Sequence, residues 1–457
     1  MSAIKVNRVL LAAAIAGFLL VGCKGKSSSG TSIPASLTNW TWEAGTNVAG
    51  SAGNFGTIGV AATTNQPSGR SGAMSWKDSQ GQFWVFSGAG GFSDMWVFNT
   101  TNLGWIWKAG ANVNTSAPGI YGTQGTAAAT NMPGARTNGA AWSDTAGNFW
   151  LLGGYGTDSS GLIGYLNDLW SYSPATNQWT WVGGSKNGGS GAAVAGFPNP
   201  RNSAATWKDA SGNFYLFGGQ VYLGGTVGVQ NDLWQYSPTT NQWTMIGGST
   251  ALNAQGTYGT AGTTAASNQP GARQQPVTWT DSTGTFWMLG GTGLDSAGAN
   301  GQLNDLWKFN PTTKQWTWVT GSNTINALGN YGTNNVAAST NQPGARSGGI
   351  GWTDSLGNLW LFGGTGINAS GTLTYLNDLW KFQVSSGQWV WINGSYNGNV
   401  GGYYGTISVL SSSNMPGSRL GANGWNDGSG NFWLFGGAGY DAAGSNGRLS
   451  DMWKFLP

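Results

Sequence analysis

The chain has 457 residues, of which 80 are glycine and 28 tryptophan, while only 8% are charged and the formal net charge is +3. So much glycine and aromatic side chain with so little charge suits many short strands joined by turns. It argues against a disordered chain and against the basic stripe of a nucleic-acid binder. There is no histidine and a single cysteine, which removes Ser-His-Asp and Cys-His machinery, the usual zinc sites and any intramolecular disulfide.

In chain order, Lys5 and Arg8 precede an apolar run from Val9 to Val21. That run is shorter than the ~20 residues a membrane-spanning helix needs, so residues 1–22 read as a secretory signal peptide. The ending Leu20-Val21-Gly22-Cys23 resembles the bacterial lipobox, which implies that Cys23 becomes the lipidated first residue of the mature chain. Residues 24–36, rich in glycine and serine, extend this anchor as a flexible tether. By the sorting rule of Gram-negative lipoproteins, Lys24 after the cysteine, in place of aspartate, implies an outer-membrane lipoprotein of the cell envelope, facing the periplasm or the cell surface. Without Lys5 and Arg8, 17 basic residues face 16 acidic ones. The expected contact with the membrane is therefore the lipid alone, and no nucleic-acid partner is expected.

From residue 37 to 457 the sequence repeats itself six times. Each unit opens on Pro-x-x-Arg, at Arg70, Arg136, Arg201, Arg273, Arg346 and Arg419, with spacings of 66, 65, 72, 73 and 73 residues. A Trp-x-Asp follows, as at Trp352 and Asp354. Next come an aromatic run ending in glycines, as in Leu359 to Gly364, the triplet Asp-Leu/Met-Trp, and a Trp-x-Trp pair such as Trp316 and Trp318. Each landmark reads as a short strand bounded by turn signals, giving four strands per unit, the first built of small residues suited to crowding around an axis. Pro276 interrupts the first strand of the fourth unit and is expected to remove a ladder hydrogen bond. The chain opens with a lone Trp40-x-Trp42 and ends on Asp451-Met452-Trp453 with no such pair after it. The first strand should therefore complete the last blade.

These units resemble the Kelch repeat, a four-stranded blade marked by paired glycines, here Gly153-Gly154, Gly218-Gly219, Gly290-Gly291, Gly363-Gly364 and Gly436-Gly437. The first unit departs with Ser87-Gly88. The resemblance implies an all-β, six-bladed Kelch-type β-propeller closed by an N-terminal strand. The Kelch domain of galactose oxidase is similar in fold, but its copper-radical chemistry requires histidines that this chain lacks. The resemblance also implies possible uses for the arginines: in Kelch adaptors arginines at the corresponding position can bind acidic peptides, and in six-bladed sialate mutarotases arginine helps hold an anionic sugar.

Two uses of the six arginines are open: structural pairs with the repeat aspartates, or guanidinium forks offered to a ligand at the channel mouth. Tyr121, Tyr258, Tyr331 and Tyr404, in Tyr-Gly-Thr loops on the same face, either pack between loops or line a binding rim. The tryptophans read as core and the aspartates as turn caps. Asp158, Asp295 and Asp441 supply one carboxylate per loop, far from a calcium set, so neither metal nor cofactor is expected. No idiosyncratic carboxylate pair is available for acid/base chemistry. The sequence thus reads as a binding protein that takes a protein partner or glycan on its loop face. A mutarotase or epimerase of acidic sugars and a structural envelope component are the alternatives. The sequence leaves the oligomeric state open.

Overall fold

In a computed structural model, residues 39–188 and 193–457 are described. The signal peptide, Cys23 and the tether lie outside the described residues. The β-strands form six antiparallel sheets, and no α-helix occurs among the described residues.

Blade 5 shows how the repeat folds. Asp354 Oδ1 accepts the backbone N–H of Leu356 (3.0 Å) and Asn358 (2.8 Å). Its Oδ2 takes the Trp360 indole N–H (2.9 Å). This closes the turn between Ile350–Thr353 and Leu359–Ile367, with Trp352 opposite Trp360. The third strand, Leu373–Gln383, pairs back on the second, and Gln388–Asn393 forms the outer edge. The other blades repeat this order at 136–183, 201–247 and 273–320. Blade 1 is shorter, with Phe83–Phe86 and Met95–Asn99 as its middle strands.

In blade 6, Asn39–Ala44 pairs with Asn446–Leu456 as the outer strand, Trp40 opposite Phe455. The ring is a six-bladed propeller closed by its N-terminal strand, with Trp40 fully buried.

The hydrophobic clusters lie between blades. The inner-strand tryptophan of one blade stacks on the first aromatic of the next blade's second strand: Trp352 on Phe432 at 5.3 Å and Trp425 on Phe83 at 4.8 Å. Each blade therefore buries its apolar face only when its neighbour is present, and each buried aromatic contributes about 1.5–3 kcal/mol.

The paired glycines permit this proximity. Gly290 has φ +60°, and a Cβ there would stand 2.5 Å from the Leu303 carbonyl and 2.6 Å from that of Arg346 in the next blade. In blade 1, Ser87 takes the same left-handed conformation, and its hydroxyl accepts the Arg136 N–H at 2.8 Å.

At the axis the chain makes a closed circuit. The N–H of Gly72, Asn138, Ser203, Gln275, Gly348 and Gly421 each donates to the carbonyl of the equivalent residue one blade back, at 2.7–2.9 Å. All six residues have positive φ. The inner strand is broken here in every blade that has both pieces, between Arg346–Ser347 and Ile350–Thr353 for example. Pro276 falls in that break, so it removes no ladder bond. The sequence-based expectation of a lost bond is corrected by this break, which the repeat has everywhere.

Candidate functional site

The six repeat arginines all enter internal pairs. Arg346 Nη1 lies 2.7 Å from Asp378 Oδ1 and Nη2 lies 2.8 Å from Oδ2, with both side chains fully buried. Arg346 Nε also donates to the Gly344 carbonyl (3.0 Å) and Nη1 to that of Gly363 (3.1 Å). The same bidentate geometry joins Arg70 to Asp94, Arg136 to Asp168, Arg201 to Asp232, Arg273 to Asp305 and Arg419 to Asp451. None of the six arginines is more than 2% exposed. Of the two uses open in the sequence, the geometry realises the structural pair in every blade. Arginine occupies the position because its fork ties the inner strand, the glycine-bearing strand and the third strand together.

The tyrosines complete these pairs. The hydroxyls of Tyr121, Tyr258, Tyr331 and Tyr404 donate to Asp168, Asp305, Asp378 and Asp451 at 2.6–2.7 Å, with the rings buried. Each of those aspartates also accepts the indole N–H two residues on, as from Trp380 to Asp378 (2.8 Å). Burial pushes the four phenols far above their ordinary pKa, and the adjacent aspartate adds to the shift. Burial alone raises the Asp168 carboxyl. The Arg136 charge and the hydrogen bonds from Arg136, Tyr121 and Trp170 outweigh it and hold Asp168 below the usual carboxylate range.

The remaining acids are also engaged. Turn aspartates such as Asp78, Asp281 and Asp427 cap turns and accept a tryptophan indole. The Asp158, Asp295 and Asp441 carboxylates cap the hairpins between second and third strands. Glu43 pairs with Lys454 at 2.8 Å. Among the described residues, no group of three or more acidic, histidine or cysteine side chains is placed to hold a metal ion.

What the sequence did not reveal is that the second strand continues past the glycines. In blades 2 to 6 the glycine pair makes a bulge, as between Phe362 and Gly364. The hairpin then runs on through Thr365↔Tyr375 to Ile367↔Leu373. Antiparallel pairing puts these hairpins and the long interblade loops on one face, and the aspartate turns on the other.

One row of this hairpin varies where its neighbours repeat. The residue after the arginine, the residue after the second glycine and the residue three before the strand aspartate sit side by side across the blade. They read Thr137–Tyr155–Tyr165 in blade 2, Asn202–Gln220–Val229 in blade 3 and Gln274–Thr292–Gln302 in blade 4. Blade 5 has Ser347–Thr365–Tyr375 and blade 6 has Leu420–Ala438–Arg448.

Two of these side chains, Tyr165 and Tyr375, reach the following blade, whereas the Thr137 hydroxyl donates to the Gly72 carbonyl of the preceding one (3.1 Å). The Tyr165 hydroxyl donates to Gln220 Oε1 (2.9 Å) and its ring lies parallel to Tyr222 at 6.4 Å. Tyr375 meets Tyr440 at 5.9 Å. Tyr155, 41% exposed, leans on Tyr165 at 5.3 Å. The signal for this row was present in the sequence as a fixed offset from the aspartate, but only the bulge shows that it lies in a strand.

Because blade 1 lacks the extended hairpin, the loop face has a gap there. A cavity of about 570 Å³ lies between blades 6 and 1, lined in part by Ser51, Ser68, Phe92, Asn114, Asn446 and Arg448. A smaller one of about 180 Å³ lies against Tyr155 and Thr137. The axial opening over the backbone circuit holds about 190 Å³.

No family model matches the chain, and no curated protein matches it. Among solved structures, the protein titled YjhT is 16% identical, with 85% of this chain and 95% of that one covered and a TM-score of 0.49. That likeness is too distant to carry a functional argument. The fold stands on the six blades themselves.

Proposed function

We propose that this protein is a Kelch-type propeller, tethered to the bacterial envelope through a lipid on Cys23, that binds carbohydrate on its loop face. The observation that carries the reading is the variable row of the hairpins. Architectural needs recur in all blades, and they account for the arginines, the loop tyrosines, the aspartates and the tryptophans. A position that is tyrosine, valine, glutamine, tyrosine and arginine in five equivalent places is not held by those needs, and it is where a ligand contact can be placed without disturbing the blade.

The chemistry of the row is aromatic, amide and hydroxyl with almost no charge. Tyr155 and Tyr165, with Tyr222 of the next blade beside them, offer rings with polar edges, and Gln220, Thr292 and Gln302 offer donors and acceptors, a set that suits hydroxylated ligands. Every carboxylate engaged in a cap or a pair favours binding over turnover. The lipobox-like residues and Lys24 support display at the outer membrane.

A glycan array probed with residues 24–457, which contain the whole propeller, tests the reading. Binding that weakens at least tenfold in both Tyr155→Ala and Tyr165→Ala is expected. Binding unaffected by either substitution, or no glycan bound, would refute it.

A second reading, a protein partner on the same face, is favoured by the hairpin tips of blades 2 and 3. There Leu162, Ile163 and Val227 are 58%, 57% and 49% exposed. Leu162→Asp would abolish capture of such a partner and leave glycan binding intact.

A further inference from the structure

Arg448 is the exception among the arginines. The other six described ones are buried in aspartate pairs, whereas Arg448 is exposed and makes no ion pair among the described residues. It occupies the third position of the variable row, where the other blades carry Gly91, Tyr165, Val229, Gln302 and Tyr375. Nothing in the blade therefore requires a cation at this point. The backbone on either side is fixed: the Arg448 carbonyl accepts the Gly50 N–H at 2.7 Å, and Leu449 is fully buried.

The surroundings of Arg448 differ from those of its counterparts. Tyr165 and Tyr375 reach a tyrosine on the following blade's hairpin. Blade 1 has no such hairpin, because its second strand stops at Phe86 and its third starts at Met95. The gap left behind is the cavity of about 570 Å³, within the range of small-ligand sites. Its floor is the Phe92 ring, which lies 4.6 Å over the Arg70 guanidinium and covers the Arg70–Asp94 pair. Around it stand Ser51, whose hydroxyl also bonds Ser450 (2.8 Å), Ser68, whose hydroxyl accepts the Gly53 N–H (2.8 Å) and keeps its own proton to donate, and Asn114 and Asn446, with no carboxylate and no second free cation in the lining.

We infer that this notch over blade 1 binds a hexuronate unit of an acidic polysaccharide, with Arg448 taking the carboxylate. A planar guanidinium matches a carboxylate through two parallel hydrogen bonds. A single positive charge balances one carboxylate, whereas a phosphate dianion would call for more cations than the notch holds. The neutral hydroxyls and amides suit the sugar hydroxyls. The inference rests on the carbohydrate reading above and names the subsite and ligand class.

Calorimetric titration with oligomers of galacturonate, of mannuronate and of the glucuronate-containing hyaluronan, each beside its methyl ester, tests it. Neutral oligosaccharides of similar length serve for comparison. At least one acidic oligomer is expected to bind ten-fold or more tighter than its ester. Arg448→Gln should abolish that preference without changing the unfolding midpoint, and Arg448→Lys should restore part of it. The inference is overturned if no acidic oligomer binds, if acid and ester bind alike, or if Arg448→Gln keeps the preference. Neutral oligosaccharides bound through Tyr155 with no preference for acid would sink the notch alone. No binding of any sugar would sink the carbohydrate reading with it.

Discussion

Replacing Arg346 by alanine removes four hydrogen bonds at once: one each to the carbonyls of Gly344 and Gly363, and the two to Asp378. Asp378 would be left buried with only the donors from Tyr331 and Trp380. Breaking a buried pair by deleting one partner costs about 3–5 kcal/mol, because the surviving charge is left uncompensated. Water entering the vacated space can satisfy the two carbonyls, so their further cost is small beside that figure.

A domain's whole stability is about 5–15 kcal/mol, so one such substitution removes about a fifth or more of it. Equilibrium urea unfolding followed by tryptophan fluorescence would read the loss as a lower midpoint at unchanged slope. Arg448→Ala is the control, and being exposed and unpaired it should change stability by less than about 0.5 kcal/mol. The loss at Arg346 should also persist at high salt, since buried charges are poorly screened. If Arg346→Ala unfolds within about 1 kcal/mol of the parent, or no worse than Arg448→Ala, the arginine is not structural and the argument fails.

Three further outcomes are expected. Asp168, Asp427 and Asp441 have carboxyl pKa values held below the ordinary range in the folded state. Their stabilisation is therefore complete above the unfolded value near 4 and is lost as pH falls through the lower folded values. With no histidine in the chain, the urea midpoint should stay level between about pH 5 and 8 and drop only below about 4; a decline between 5 and 7 would contradict this. Trp40→Ala should cost about 3–5 kcal/mol, and deleting Asn39–Ala44 should lower the unfolding temperature of the whole ring, since that strand covers the edge of blade 6. Unchanged melting after the deletion would refute closure by this strand. Cys23→Ala should move the protein out of the membrane fraction and abolish incorporation of labelled fatty acid; retention in that fraction would refute the lipid anchor.

The sequence by itself determined the number of blades, their strand order and the way the ring closes. Trp-x-Asp, the paired glycines, Asp-Leu/Met-Trp and Trp-x-Trp recur with offsets that depend only on local chain geometry. The surplus Trp-x-Trp at the N-terminus could belong only to the last unit. Sequence also narrowed Arg346 and its five equivalents to two uses and the loop tyrosines to two more.

Tertiary structure decided between those uses. A guanidinium and a carboxylate 32 residues apart, Arg346 and Asp378, meet only when the second strand lies between them and water is excluded from both. The axial circuit, beside the strand break that makes Pro276 harmless, likewise needs the inner strands of six blades brought to one axis. The extension of the hairpins past the glycines was hidden because glycine reads locally as an end of strand. Only the pairing partner across the bulge, Tyr375 for Thr365, keeps the strand going. Arg448 belongs to none of the repeat's sequence landmarks. Its place beside the one blade without an extended hairpin gives it a cavity, because exposure and the absence of a partner are properties of the neighbouring blade and not of the residue's own repeat.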